Sequence, residues 1–567
     1  MKDFVVKAIK KALDEENIKV DEKDILMKIE IPKNKSFGDY AFPCFFLEEK
    51  LKENPSSIAI KLREKIGNAE DFGFKDIQTK GPYINFFLDR NLIALKTIKE
   101  ILIKKENFGE TDLGKGKKVL IEHTSLNPNS SPHVGRARNA IIGDSIVRIF
   151  RFLGYNVEVH YYVNDVSKQV ALLVVAGAEN QSFKKMMENY TKIYNKLKKS
   201  KKIEKDVFLW LQRFEKGDKE AKRKFNKITK TCIEGQKKIM ENIGIKYDFF
   251  DYESSFLEES KKIISELEKI GKLKKDKFGR LYLDQSENQE IKSKMKTPFL
   301  VLTRSDGTGL YPLRDIAYTI FKLKNADKNI VVLGEDQKLY FLQLKDALKT
   351  LNYEAPEVIH YSYVLLSSKG KLKKMSTRKG EVVLLEDFLE EAIKKAKLEI
   401  KKRKTKGDPK KIAIAAIKYR ILKVSPDKSI NFNLDNEIKF EGNTGPYLLY
   451  SYARARSILR KAKEFYKKRK NINIENLNLK ELNNYETNLV LLMSNFQDVV
   501  NKAYSSLDSS IIASYSFEIS KAFNEFYQNC QVIGSHEEDF RLALVEAFSY
   551  VLKNSLMLLG IETIEEM

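Results

Sequence analysis

The residues of this chain best suited to chemistry fall in three short stretches. His133, Gly135 and Arg136 stand in PHVGR, after a loop crowded with Ser, Asn and Pro; Lys373 to Gly380 reads KKMSTRKG; Tyr311 and Asp315 are one helical turn apart in LYPLRDIAYTIFKL. A histidine and a glycine at a helix start bring a ring N–H, unpaired backbone donors and the positive end of the helix dipole to one place. That combination suits a phosphate, and Gly135 lets a nucleotide lie close to the backbone. Lys374 lies in a basic loop flanked by Gly370 and Gly380, as a closing lid requires, although a solvated basic loop reads the same way. Asp315, near a helix start, reads as a capping or dipole residue, and Tyr311 one turn before it faces the same way.

The elements that must hold these groups are legible around them. Val119 to Ile121 is a short apolar run, and Glu122 ends it. The loop follows, then Ala140, Ile141, Ile146, Val147, Ile149 and Phe150 recur at helical spacing until Gly154, a left-handed stop. NVEVHYYV, Asn156 to Val163, is a second strand. Strand, helix, strand of this length is a right-handed crossover of a parallel sheet, whose ligands gather at the carboxyl ends of the strands. Asp306-Gly307 is a turn, and Pro312 suits the first turn of a helix running to about Leu323. Gln337 follows a further apolar strand, NIVVLG.

PHVGR resembles the HIGH signature of class I aminoacyl-tRNA synthetases and related nucleotidylyltransferases, and KKMSTRKG, C-terminal to it, resembles their KMSKS loop. FGDYAFP at Phe37 to Pro43 and GPYINFFL at Gly81 to Leu88 resemble the N-terminal domain of arginyl-tRNA synthetases. DGTGLYPLRDIAY, Asp306 to Tyr318, resembles that family's arginine-pocket segment, and GPYLLYSYARARSIL from Gly445 resembles the opening of its anticodon-binding helices. The resemblance covers nearly the whole chain.

It implies a multidomain α/β protein, with a Rossmann-type parallel-sheet catalytic domain, a small N-terminal α/β domain and a C-terminal α-helical bundle. It also implies ATP-dependent activation of L-arginine and transfer to tRNA(Arg). His133, Gly135, Arg136, Lys374, Met375 and Ser376 would bind ATP, with His133, Lys374 and Arg378 stabilising the reacting phosphates. Glu122, Asn127, Tyr311, Asp315, Gln337 and Asn85 match the family's arginine contacts. Asn85, in an aromatic strand, also reads as an ordinary edge-strand amide. Tyr447, Tyr450 and Arg454 would touch tRNA, although tyrosines at helical spacing also serve as core. Arg136 and Arg378 depart from the family pattern, replacing the second His of HIGH and the second Lys of KMSKS; Arg is bulkier and permanently charged. Magnesium is expected with ATP.

Length and charge agree with these expectations. At 567 residues the chain should hold three or four domains, at roughly 100 to 200 residues each. The boundaries read as 1–112 for a domain that would grip the tRNA elbow, 113–400 for the catalytic domain with a helical insertion at about 175–290, 401–444 for a connecting segment contacting the stem, and 445–567 for the anticodon-binding helices. Between Gln181 and Thr231 the insertion is strongly basic, a solvated helical hairpin or an RNA-facing surface. No room is left for an editing domain. Net charge is +24, which favours a polyanionic partner or reflects a lysine-rich surface. Cys44, Cys232 and Cys530 are too far apart for a zinc site and odd in number, so neither zinc nor a disulfide framework is expected. No run is long enough for a membrane span; a cytoplasmic monomer is expected.

Overall fold

The computed structural model describes residues 2–32, 34–197, 200–368, 371–374, 383–465 and 481–567. Packing divides the chain into two units.

The first unit comprises residues 1–108, 451–499 and 517–554. Its three-stranded antiparallel sheet has the order β1 (Tyr40–Pro43), β3 (Tyr83–Leu88), β2 (Phe74–Lys80). Helix Pro55–Ile66 starts where Asn54 accepts the N–H of Ser56 at 2.9 Å and Pro55 presets the first turn. It buries Ile58, Ala59, Leu62 and Ile66. Helix Arg90–Lys104, capped by Asp89, packs against helix Asn484–Ser494, which opens with a capping box between Asn483 and Glu486. Ile25 to Pro32 reads as a strand, but Glu22–Lys28 is a short helix, and only Glu30 bridges to Ala41. Ile25 and Ile29, four apart, are the two buried positions, so the helical spacing prevails over the alternation.

The second unit comprises residues 109–450, 500–516 and 555–567. Its centre is a five-stranded, wholly parallel sheet built from β4 (Lys118–Glu122), β5 (Asn156–Val163), β6 (Phe249–Tyr252), β10 (Lys328–Gly334) and β11 (Glu357–Tyr361), in the order β11-β10-β4-β5-β6. The chain starts at the central strand, winds out through β5 and β6, then returns to the other side of β4. The switch in direction therefore lies between β4 and β10, where a parallel sheet opens its ligand crevice. Helix Val134–Phe152 follows β4, and Gly154, at φ +80°, ends it as its position suggests.

Between Gln181 and Thr231, where a helical hairpin is expected, the chain enters three helices rather than two. Three helices, Phe183–Leu197, Lys201–Glu215 and Lys219–Glu241, pack with Lys168–Val175 around Met186, Leu211, Phe214 and Phe225. The main-sheet strand β6 and part of a small antiparallel sheet, β7 (Leu273–Lys275), β8 (Leu281–Asp284) and β9 (Phe299–Val301), then follow. A third sheet joins β12 (Val364–Ser368) to β13 (Lys371–Lys374) and β14 (Ile430–Phe432). Gly445 is required by packing: a Cβ there would stand 2.2 Å from the Ala415 carbonyl oxygen of helix Pro409–Leu422.

Candidate active site

The loop leaving β4 is held in an unusual backbone. Thr124 and Ser125 take φ of +74° and +40°, values that only a well-tied loop sustains in non-glycine residues. Asn139 provides one tie, accepting the Thr124 N–H at 2.5 Å and donating to the Val332 carbonyl of β10 at 2.7 Å. Its amide thus spans the switch point. Tyr247 donates to Thr124 Oγ1 at 2.8 Å, and Gln236 donates to the carbonyls of Asn127 and Ser130 at 3.0 and 2.9 Å.

This loop delivers His133 to the first turn of helix Val134–Phe152 as its N-cap, with Nδ1 accepting the Arg136 N–H at 3.2 Å. An acceptor at Nδ1 puts the proton of the neutral ring on Nε2. Burial, reinforced by the Arg136 charge, lowers the pKa of the ring to about 4, so it stays neutral at pH 7. Val383 and Leu385 bind back against this point: Val134 N–H reaches the Val383 carbonyl at 3.2 Å, and Leu385 N–H reaches the Pro132 carbonyl at 2.9 Å. Arg136 faces Tyr361 at the end of β11, close enough to counter the rise that burial imposes on the phenol. Arg138, fully buried, spans the Ser362 and Ser425 carbonyls at 2.8 and 3.0 Å. A neutral N–H donor, a helix N-terminus and a guanidinium thus share the crevice, an arrangement that receives a phosphate chain.

Beside the same sheet, buried and half-buried phenols gather around a carboxylate. Helix Tyr311–Asn325 begins with Tyr311 and Pro312, as its sequence predicts, and buries Asp315. Tyr340, from helix Lys338–Thr350, donates to Asp315 Oδ2 at 2.7 Å. Burial raises the carboxyl to about 6, against the pull of Lys322 and Tyr340. The rings of Tyr340 and Tyr162 lie 5.5 and 6.3 Å from that of Tyr311, and Tyr162 stacks on Tyr318 at 4.3 Å. Glu122, the last residue of β4, is ion-paired with buried Lys322 and accepts from Ser125 Oγ at 3.0 Å. Phenol rings around a carboxylate favour a flat, delocalised cation over a compact ammonium.

The other residues singled out in the sequence are placed as follows. Gly135 lies in the first turn of helix Val134–Phe152. Gln337 ends the short turn Glu335–Gln337 after β10. Asn127 is exposed and contributes only its carbonyl to a bond named above. Asn85 lies in the first unit, buried, in the central strand of its sheet rather than at an edge. Lys374 is the last residue of β13, opposite Leu365; Gly370, Met375, Ser376, Arg378 and Gly380 lie outside the described residues. Tyr447 and Tyr450 stand in the first two turns of helix Gly445–Phe465; Arg454, further along it, bonds to Asn524 and lies 4.9 Å over the ring of Tyr527. Sequence reasoning missed Tyr340, Lys322, Tyr162 and Asn139. The only signal for Lys322 was its position two turns after Asp315 on one helix face.

Comparison with known proteins agrees with this geometry. Residues 97–434 match the model for the class I tRNA synthetase (R) catalytic domain, 448–567 the DALR anticodon binding domain, and 2–88 the arginyl tRNA synthetase N terminal domain. The chain is 36% identical to the arginine–tRNA ligase of Methanocaldococcus jannaschii, covering 99% of both chains. It is 33% identical to that of Clostridium acetobutylicum, covering 95% of this chain and 96% of that one. Among solved structures, Thermus thermophilus arginyl-tRNA synthetase superposes with a TM-score of 0.78 at 25% identity, covering 99% of each chain. The Plasmodium falciparum enzyme shares the fold, with a TM-score of 0.77 at 23% identity over 99% of this chain and 98% of that one. The three matched domains, the full-length relatives and the crevice between β4 and β10 together establish that this chain belongs to the arginyl-tRNA synthetase family of class I aminoacyl-tRNA synthetases.

Proposed function

We propose that this chain activates L-arginine with ATP and transfers it to the 3'-terminal adenosine of tRNA(Arg), using the crevice between β4 and β10. The observation that carries the reading is Asp315: a buried carboxylate among phenols, hydrogen-bonded by Tyr340 and without a cation in contact among the described residues. Such a group waits for a planar cation, and the arginine guanidinium matches it in shape and charge.

In this reading Asp315 and Tyr311 hold the guanidinium, with Glu122 beside them, while Gln337, Asn127 and Asn85 serve the amino-acid end. The arginine carboxylate oxygen attacks the α-phosphorus of ATP in line, the bond to the bridging oxygen breaks, and pyrophosphate leaves with that electron pair. Charge builds on the α-phosphate oxygens, where His133 Nε2–H and the backbone donors beside Gly135 stabilise it. Arg136, Met375 and Ser376 hold the nucleotide; Lys374 and Arg378 attract the departing pyrophosphate. The ribose hydroxyl of tRNA then attacks the activated carbonyl, and AMP leaves. No covalent enzyme intermediate is needed.

Magnesium would accompany ATP as a counter-ion to its phosphates. Among the described residues no group of three or more His, Cys, Asp or Glu side chains could hold a metal ion. Residues 1–112 would grip the tRNA elbow, 401–444 would contact the stem, and 445–567, with Tyr447, Tyr450 and Arg454, would read the anticodon arm. Among the described residues no helix is long and apolar enough to cross a membrane. Cys44, Cys232 and Cys530 are buried and free, which suits a reducing cytoplasm, and we propose a monomer. The test is amino-acid-dependent pyrophosphate exchange with a panel of amino acids, with and without total tRNA. Exchange with arginine alone supports the proposal, and exchange with another amino acid refutes it.

A further inference from the structure

The carboxylates around the pocket differ in what neutralises them. Glu253 pairs with Arg314; Glu215 pairs with Arg304 at 3.2 Å; Asp251 takes His160 Nδ1 at 2.6 Å and the Tyr318 hydroxyl at 2.8 Å. Asp165 takes the Ser254 N–H at 2.9 Å and lies in the field of Arg314. Glu122 has Lys322. Among the described residues Asp315 has hydroxyl donors and lies in the field of Lys322, but no cation touches it.

Lys322 is an unexpected residue here. It lies near the end of helix Tyr311–Asn325, where lysines ordinarily reach solvent, yet it is 3% exposed. Its ammonium pairs with Glu122 Oε2 and sits 4.3 Å over the ring of Tyr318. A lysine this buried depends on its partner. It also fills the place on Glu122 that a second ammonium would need, and two ammonium groups at one carboxylate repel. A guanidinium can instead spread its fork over Asp315 and the phenols.

We infer that Lys322 is a specificity-determining and positioning residue: it occupies Glu122, leaves Asp315 as the carboxylate offered to the substrate, and so turns the pocket away from aliphatic ammonium side chains. The inference rests on the reading of this pocket as the arginine site. The groups facing Asp315 are Tyr311, Tyr318 and Lys322 on its own helix, Tyr340 on the next, Glu122 at the end of β4, Tyr162 on β5 and Glu253 after β6. Of these, Lys322 favours the ionised form of Asp315 and Glu122 opposes it.

The experiment follows tRNA charging by the full chain from pH 5 to 8, with arginine as substrate and lysine as competitor. Lys322→Met should move the acid limb of kcat/KM for arginine up by about one pH unit and tighten lysine inhibition by about tenfold or more. The double variant Lys322→Met/Glu122→Gln removes charge from both partners, so limb and lysine inhibition should return toward wild type although the lysine's packing is still lost. Single and double variants behaving alike would overturn the inference. Should Lys322→Met not fold, Glu122→Gln probes the pair from its other side: the freed ammonium should move the limb down, and an unmoved limb overturns the inference. Asp315→Asn separates the two claims. Normal arginine use by that variant removes the pocket reading itself, whereas a disabled Asp315→Asn beside an unmoved limb in Lys322→Met removes only the role of Lys322.

Discussion

His133 Nδ1 accepts the backbone N–H of Arg136 at 3.2 Å, so one imidazole both caps its helix and holds its second nitrogen protonated for a ligand. The two duties are separable. His133→Asn keeps a good capping oxygen and should leave thermal stability nearly unchanged. It loses the Nε2 donor, and removing one donor to a developing oxyanion costs on the order of 10² to 10³ in turnover. His133→Ala should show a similar loss of turnover and in addition lose about 1 kcal/mol of stability. Turnover paired with thermal unfolding of the two variants checks this.

The pH dependence of arginine use should be set by Asp315 and not by His133. Protonation of Asp315 removes the charge that faces the substrate, so kcat/KM for arginine should fall below about pH 6. His133, held near 4, is neutral throughout that range. Stability runs the opposite way. The folded pKa of Asp315 is raised above its ordinary value, so its contribution to stability is fully present below about pH 4 and is lost as pH rises through about 6. Asp315→Asn should therefore unfold at the same or a higher temperature than the parent at pH 7.5, and a clearly lower melting temperature would contradict this.

The catalytic crevice was legible because punctuation marks it. Gly154 stops the helix, Pro312 starts another, and the Ser, Asn and Pro loop separates strand from helix. Lys322 and Tyr340 were illegible for the converse reason: a lysine in a last turn and a tyrosine in an apolar stripe look like surface and core, and only the tertiary packing turns both toward Asp315. Asn139 carries no local signal, since its partners Thr124 and Val332 belong to the loop after β4 and to β10. Ile25 to Ile29 fits two periods, and burial chose between them.

Gly445 tests the packing of helix Gly445–Phe465 against helix Pro409–Leu422. A methyl group there meets the Ala415 carbonyl at 2.2 Å, and backbone cannot move aside as a side-chain tip can. Gly445→Ala should cost about 1 to 3 kcal/mol in denaturant unfolding. A change within error would mean that the two helices are not held so closely.

Arg136 stands where the family signature has histidine, and it faces Tyr361 across the crevice. Arg136→Ala should raise the KM for ATP while leaving the KM for arginine unchanged. Unaltered ATP kinetics in a folded variant would reduce Arg136 to a helix cation.

The most direct measurement is the KM for arginine of Asp315→Asn in tRNA charging, with the KM for ATP measured alongside. The substitution keeps the shape and an acceptor for Tyr340 while removing the charge. A guanidinium bound in a buried site without its carboxylate loses on the order of 3 to 5 kcal/mol, so the KM for arginine should rise by roughly a hundredfold or more, at about 1.4 kcal/mol per decade. The KM for ATP should stay near the parent value. An unchanged KM for arginine would contradict the assignment of Asp315 as the residue that receives the substrate's guanidinium.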